Sequence, residues 1–107
     1  MNFLRDKMDS ESFSTLVEKI IARYESREYR DKFLDKGKEP PETLYWLLLD
    51  YASRYGRDCA VDGTMAEWRN YGNSFTTELY FCDGYYFNRM DGQGSIVRII
   101  KESQLSE

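Results

Sequence analysis

The stretch that decides the fold is residues 75–101, FTTELYFCDGYYFNRMDGQGSIVRIIK. It is rich in β-branched and aromatic residues and is interrupted twice by turn chemistry, at Asp83-Gly84 and at Asp91-Gly92-Gln93-Gly94. Asp-Gly suits a two-residue hairpin turn because both positions need positive φ. The spacing therefore predicts strands over 75–82, 85–90 and 95–101, joined as a three-stranded antiparallel meander. The first turn also sets a register, with Cys82 opposite Tyr85, Phe81 opposite Tyr86, Leu79 opposite Asn88 and Glu78 opposite Arg89. Reading residues 91–94 as a four-residue turn places Asn88 opposite Val97, Phe87 opposite Arg98 and Tyr86 opposite Ile99.

In that register one sheet face gathers Leu79, Phe81, Tyr86, Met90, Val97 and Ile99, and is expected to pack on helices. The other gathers Glu78, Tyr80, Tyr85, Phe87, Arg89 and Arg98 together with Ile96 and Ile100. It is too apolar for ordinary solvated surface and too charged for core. It is the expected contact surface, with Tyr80, Tyr85 and Phe87 as aromatic anchors and Glu78, Arg89 and Arg98 orienting a partner at the rim. Glu78 opposite Arg89 reads as a cross-strand ion pair, worth under about 1 kcal/mol if exposed.

Ahead of the meander the periodicity changes from two to 3.6. Phe13, Leu16, Val17, Ile20, Ile21 and Tyr24 fall on one helical stripe, with Ser10 or Ser12 as cap. A second helix is expected over residues 27–36, ended by Gly37. A third opens at Pro40-Pro41 and carries Leu44, Leu48, Tyr51 and Tyr55 as the central helix, with Gly56 as a left-handed stop. Thr64 and Glu67 have capping-box spacing and predict a short fourth helix bearing Met65, Trp68 and Tyr71. The expected architecture is one α+β domain over residues 1–107, its helices on one face of the meander and residues 1–9 and 103–107 as fraying ends.

The chain of 107 residues is long enough for one core and too short for two full domains. Its net charge is −4, with ten basic and eleven acidic residues in the first 56 and five basic and eight acidic in the rest. Neither half offers the clustered basic face that phosphate neutralisation needs, so nucleic acid is a disfavoured partner. An aromatic sheet face does invite comparison with single-strand readers, where rings stack bases beside Arg. Against this, the strand Gly84-Tyr85-Tyr86-Phe87-Asn88-Arg89-Met90 does not fit the aromatic motif of those domains.

With no His and only Cys59 and Cys82, the usual triad base and a thiolate-only zinc site are both missing. Asp58 and Asp62 are the one carboxylate pair to inspect for a cation, yet they lack the alternating acids and terminal Glu of a calcium loop. Gly92 and Gly94 precede a strand and not a helix, so they form no dinucleotide fingerprint. No catalytic residue, cofactor or metal is expected. The longest apolar run, residues 44–49, is too short to span a bilayer, and the first residues lack an apolar signal core, which suggests a cytoplasmic protein with reduced cysteines.

The function expected on these grounds is non-enzymatic protein binding, as an inhibitor, adaptor or immunity-like protein of the phage or mobile-element kind. Self-association of the same sheet face into a symmetric homodimer, with pairing of the edge strand 95–101 as one route, is the second reading. A nucleic-acid accessory role is the third.

Overall fold

Asp83 and Gly84 both adopt positive φ, 51° and 93°, in the computed structural model, which describes residues 5–24, 42–92 and 94–105. This is the geometry a tight twisted hairpin requires. It joins β2 (Thr76–Cys82) to β3 (Tyr85–Gly92) in the expected register, Cys82 with Tyr85, Tyr80 with Phe87 and Glu78 with Arg89. A bulge at Thr77 interrupts the pairing before Thr76 meets Met90. The extra residue is held by its hydroxyl, which donates to the Asp91 carboxylate at 2.8 Å.

The second hairpin is tighter than the sequence suggests. β3 runs on to Gly92 and β4 (Gly94–Lys101) starts two residues later, so Gly92 pairs with Gly94 and Asp91 with Ser95. Asp91 stays in the strand because its N–H donates to Phe75 O at 2.9 Å and its carboxylate accepts from Thr77 and Ser95. Gly94, at φ 115°, supplies a reversal that other residues rarely adopt. Phe87 therefore faces Ile99, and Asn88 faces Arg98. Relative to the expected register β4 is shifted by one residue, which turns every one of its side chains to the other face.

A fourth strand completes the sheet. β1 (Arg57–Asp58) pairs antiparallel with Phe81 and Tyr80, giving the order β1-β2-β3-β4. At two residues it is too short to leave a periodic signal. Gly56 precedes it, and its φ is not left-handed. A Cβ there would lie 2.5 Å from Phe81 O and 2.7 Å from Ala52 O, so close packing demands the glycine, not a helix stop.

Among the described residues three helices flank the sheet. α1 (Ser10–Tyr24) and α2 (Glu42–Tyr55) cover one face, where Phe13, Val17, Leu48, Tyr51 and Ala52 meet Cys82, Tyr85, Phe87, Val97 and Ile99. Phe13 stacks on Tyr51 at 4.4 Å and 16° and lies 5.9 Å from the Phe87 ring. α3 (Thr64–Asn70) covers part of the opposite face, burying Met65 and Trp68 against Leu79 and Cys59, with Phe81, Tyr86 and Ile100 around them. Helices thus occupy both faces, and the class is α+β as expected.

The caps differ in detail from the sequence reading. Asp9 caps α1, accepting from Ser12 N–H at 2.8 Å, which frees Ser10 to donate to Asp83 at the first hairpin turn. α3 starts after Gly63 with no side-chain cap from Thr64, whose N–H instead donates to Asp62 at 2.9 Å. The chain before α1 is tied to α2, where Met8 N–H donates to the Tyr51 hydroxyl at 2.7 Å and Arg5 O accepts from Tyr55 at 3.0 Å. A single 3-10 turn (Glu102–Leu105) follows β4. The helix expected at 27–36 and the Pro40-Pro41 entry to α2 lie outside the described residues.

Candidate functional site

The six residues expected to form one contact surface are split between the two faces. Phe87 is fully buried and Tyr85 is 4% exposed, both under α1 and α2. The expectation that this face looks outward is corrected: the helices pack on it because it carries the rings of β3 together with Val97 and Ile99 of the shifted β4. Tyr85 keeps its hydroxyl at the margin, donating to Glu18 at 2.9 Å, and Lys101 pairs with the same carboxylate.

Glu78, Tyr80 and Arg89 lie at the open end of that face and are half-buried. The Tyr80 hydroxyl donates to Glu78 at 2.8 Å, and Arg89 donates to Glu78 at 3.0 Å and to Asp91 at 3.3 Å. The Arg89 guanidinium also lies 5.2 Å from the Trp46 ring centre on α2. Burial and the Glu78 carboxylate push the Tyr80 phenol up to about 12. This network ties the sheet to α2 and pairs Arg89 with two carboxylates within the molecule. A stacking platform of Tyr80, Tyr85 and Phe87 is likewise closed to bases, because the rings are already packed.

Arg98 is the exception. The register shift puts it on the opposite face, exposed, and its closest polar contact among the described residues is the Met90 sulfur at 4.0 Å. Around it lies the surface that the sequence reading did not assemble. Phe75, just before β2, is 59% exposed and Ile96 on β4 is 50% exposed. With Met90, Gly92 and Gly94 they line an open groove of about 440 Å³. The Phe75 ring lies over Gly92 of the hairpin, within ordinary contact distance of where a Cβ would be. Arg69 of α3 donates to Thr76 O, at the start of β2, at 2.9 Å. A second depression of about 580 Å³ opens on the same face between α3 and the 3-10 turn, walled by Trp68, Tyr71, Tyr86 and Leu105. Asn88, Thr76 and Trp68, all of this face, carry buried polar atoms that no hydrogen bond among the described residues matches.

The chemistry on offer elsewhere is limited. Cys59 and Cys82 are free and buried, and burial pushes both thiols up, Cys82 to about 12, away from the nucleophilic thiolate. Asp58 accepts from Ala60 N–H at 2.9 Å, and Asp62 accepts from Thr64 and pairs with Arg57, so each serves its own turn. Among the described residues no group of three or more His, Cys, Asp or Glu could hold a metal ion, and no helix is long and apolar enough to cross a membrane. No protein-family model matches the chain, and no curated protein or solved structure matches it.

Proposed function

We propose that the chain is a non-enzymatic protein-binding domain, acting as an inhibitor, adaptor or immunity-like protein, whose contact surface is the outer sheet face built from Phe75, Met90, Ile96 and Arg98. The observation that carries this reading is the outward placement of Phe75, just before β2, and Ile96 on β4, two large apolar side chains 59% and 50% exposed that line one groove across β3. Exposed apolar side chains that gather in this way mark protein contacts more often than isolated ones do. Arg98 at the rim gives such a surface a charge by which to choose and orient its target.

The test is affinity purification of the tagged chain from its native host after nuclease treatment, in parallel with an Ile96→Asp variant. The expected result is one stoichiometric protein that survives nuclease and is lost from Ile96→Asp, whose melting temperature stays close to wild type. Recovery that depends on nucleic acid, a partner indifferent to Ile96→Asp, or a chain that returns alone would each overturn the proposal.

A further inference from the structure

β4 is the last strand of the sheet, and among the described residues no strand pairs with its outer edge. In an antiparallel ladder each residue bonds to one neighbour only, and the sides alternate. Cys82 and Tyr85 flank a two-residue turn and form a bonded pair, so Tyr85, Phe87 and Arg89 turn their backbone to β2. Tyr86, Asn88 and Met90 turn theirs to Ile100, Arg98 and Ile96 of β4. The backbone N–H and C=O groups of Ser95, Val97 and Ile99 therefore point away from the sheet. Lys101 N–H, next in that row, is capped by the Gln104 side chain at 3.0 Å, which ends the open run. No hydrogen bond among the described residues reaches the other three. The run spans about 13 Å and contains neither proline nor bulge, the usual devices for protecting an edge.

The geometry points to this edge as a docking line on which an extended segment of another protein adds as a fifth strand. That segment carries an Asp or Glu beside Arg98 and an apolar residue, two positions away, beside Ile96. The inference rests on the protein-binding function proposed above and adds the mode and chemistry of the partner. Charge selects the occupant. Among the described residues Arg98 is the only ionised side chain that β4 places on the outer sheet face, and none of their carboxylates pairs with it. Lys101 is already held by Glu18. A second copy of the chain, paired antiparallel about Val97, would bring two Arg98 guanidinium groups diagonally across the symmetry axis and supply no acid. A strand with a carboxylate at that point neutralises Arg98. Its apolar neighbour on the same face extends the patch of Phe75, Met90 and Ile96, because residues two apart on a strand share a face. Backbone pairing gives such a complex its affinity and the alternate side chains give it selectivity.

The experiment uses the full chain and two blocked synthetic peptides of alternating threonines. One has Ile and Glu at successive positions of one face, and its twin has Lys in place of Glu. Affinity is measured by calorimetry and amide exchange by NMR. The Glu peptide should bind roughly five- to tenfold tighter than the twin, and Arg98→Glu should reverse that order without changing the melting temperature. Binding should protect the amides of Ser95, Val97 and Ile99 and leave those of Ile96, Arg98 and Ile100 unchanged. Binding without that protection, or an order that survives Arg98→Glu, overturns the inference. So does a free chain that doubles its mass with concentration and already protects those three amides. If neither peptide binds while the Ile96-dependent partner is still captured from the host, the strand-addition mode falls and the protein-binding function stands. If that capture fails as well, both fall.

Discussion

Truncating Phe87 to Ala separates the two faces most sharply. The ring is fully buried, 5.9 Å from Phe13 and 6.4 Å from Tyr85, at the centre of the contact between α1, α2 and the sheet. Deleting a buried Phe side chain costs about 3–5 kcal/mol. For this chain of 107 residues an unfolding entropy of about 2.1 cal/mol/K per residue converts that cost to a fall in melting temperature of about 15–20 °C. A domain of this size holds about 5–15 kcal/mol in all, so the variant should be marginal near 37 °C. Ile96→Ala, on the half-exposed side chain of the other face, should cost about 1 kcal/mol or less and move the melting temperature by about 5 °C at most. The assay is a pair of thermal melts followed by circular dichroism, backed by urea titrations. A Phe87→Ala melting temperature within about 5 °C of wild type, or an Ile96→Ala variant that melts below Phe87→Ala, would refute the assignment of faces.

Further perturbations probe single features. Gly56→Ala should destabilise by about 1–3 kcal/mol, because its Cβ would sit 2.5 Å from a backbone oxygen; stabilisation in a urea titration would show that the approach is looser. Asn88→Leu should raise the melting temperature, since both amide atoms are buried without a hydrogen bond and carry a desolvation cost of about 1–3 kcal/mol; a fall would mean that the amide has a bonding partner. Hydrogen bonds hold the Asp9, Glu18, Asp62 and Asp91 carboxyls below their ordinary values of 3.8 to 4.5, the Glu18 shift coming first from Lys101 and then from Tyr85. Their contribution to stability is complete above those ordinary values and is lost as pH falls through the lower folded ones, so melting temperatures should be level from about pH 5 to 8 and decline below about pH 4. At the alkaline end burial raises Cys82 from 9.0 to about 12, so its contribution is complete below pH 9 and fades as pH rises toward 12. Thiol titration of the native chain at pH 8 should accordingly be slow, and prompt reaction of Cys82 would contradict its burial.

What could be read from the sequence was whatever short-range chemistry fixes. Asp83-Gly84 dictated both a turn and the register of β2 on β3, and the stripes of α1 and α2 named the helical half of the core. The second hairpin was not legible in the same way. Two glycines in four residues permit several loop lengths, and the choice is made by Asp91, whose bonds to Phe75, Thr77 and Ser95 extend β3 by two residues. Because strand side chains alternate, that choice moved Arg98 and Ile96 away from Phe87, and Val97 and Ile99, expected to pack on the helices beside Tyr86, do so beside Phe87 instead. β1 was hidden for a different reason, since two residues carry no period. Of the expected contact residues only Arg98 lies on the exposed surface now proposed. Phe75 was visible as a strand residue, but its outward position follows the bulge at Thr77, which no local pattern announces.

The most direct measurement is photo-cross-linking in the native host with a benzophenone side chain placed at position 96 and, separately, at position 47, where Leu47 is exposed on α2 behind the opposite face. A protein adduct of one defined mass from position 96 and none from position 47 is the expected result. An adduct from position 47 alone, or none from either, would contradict protein binding through the outer sheet face.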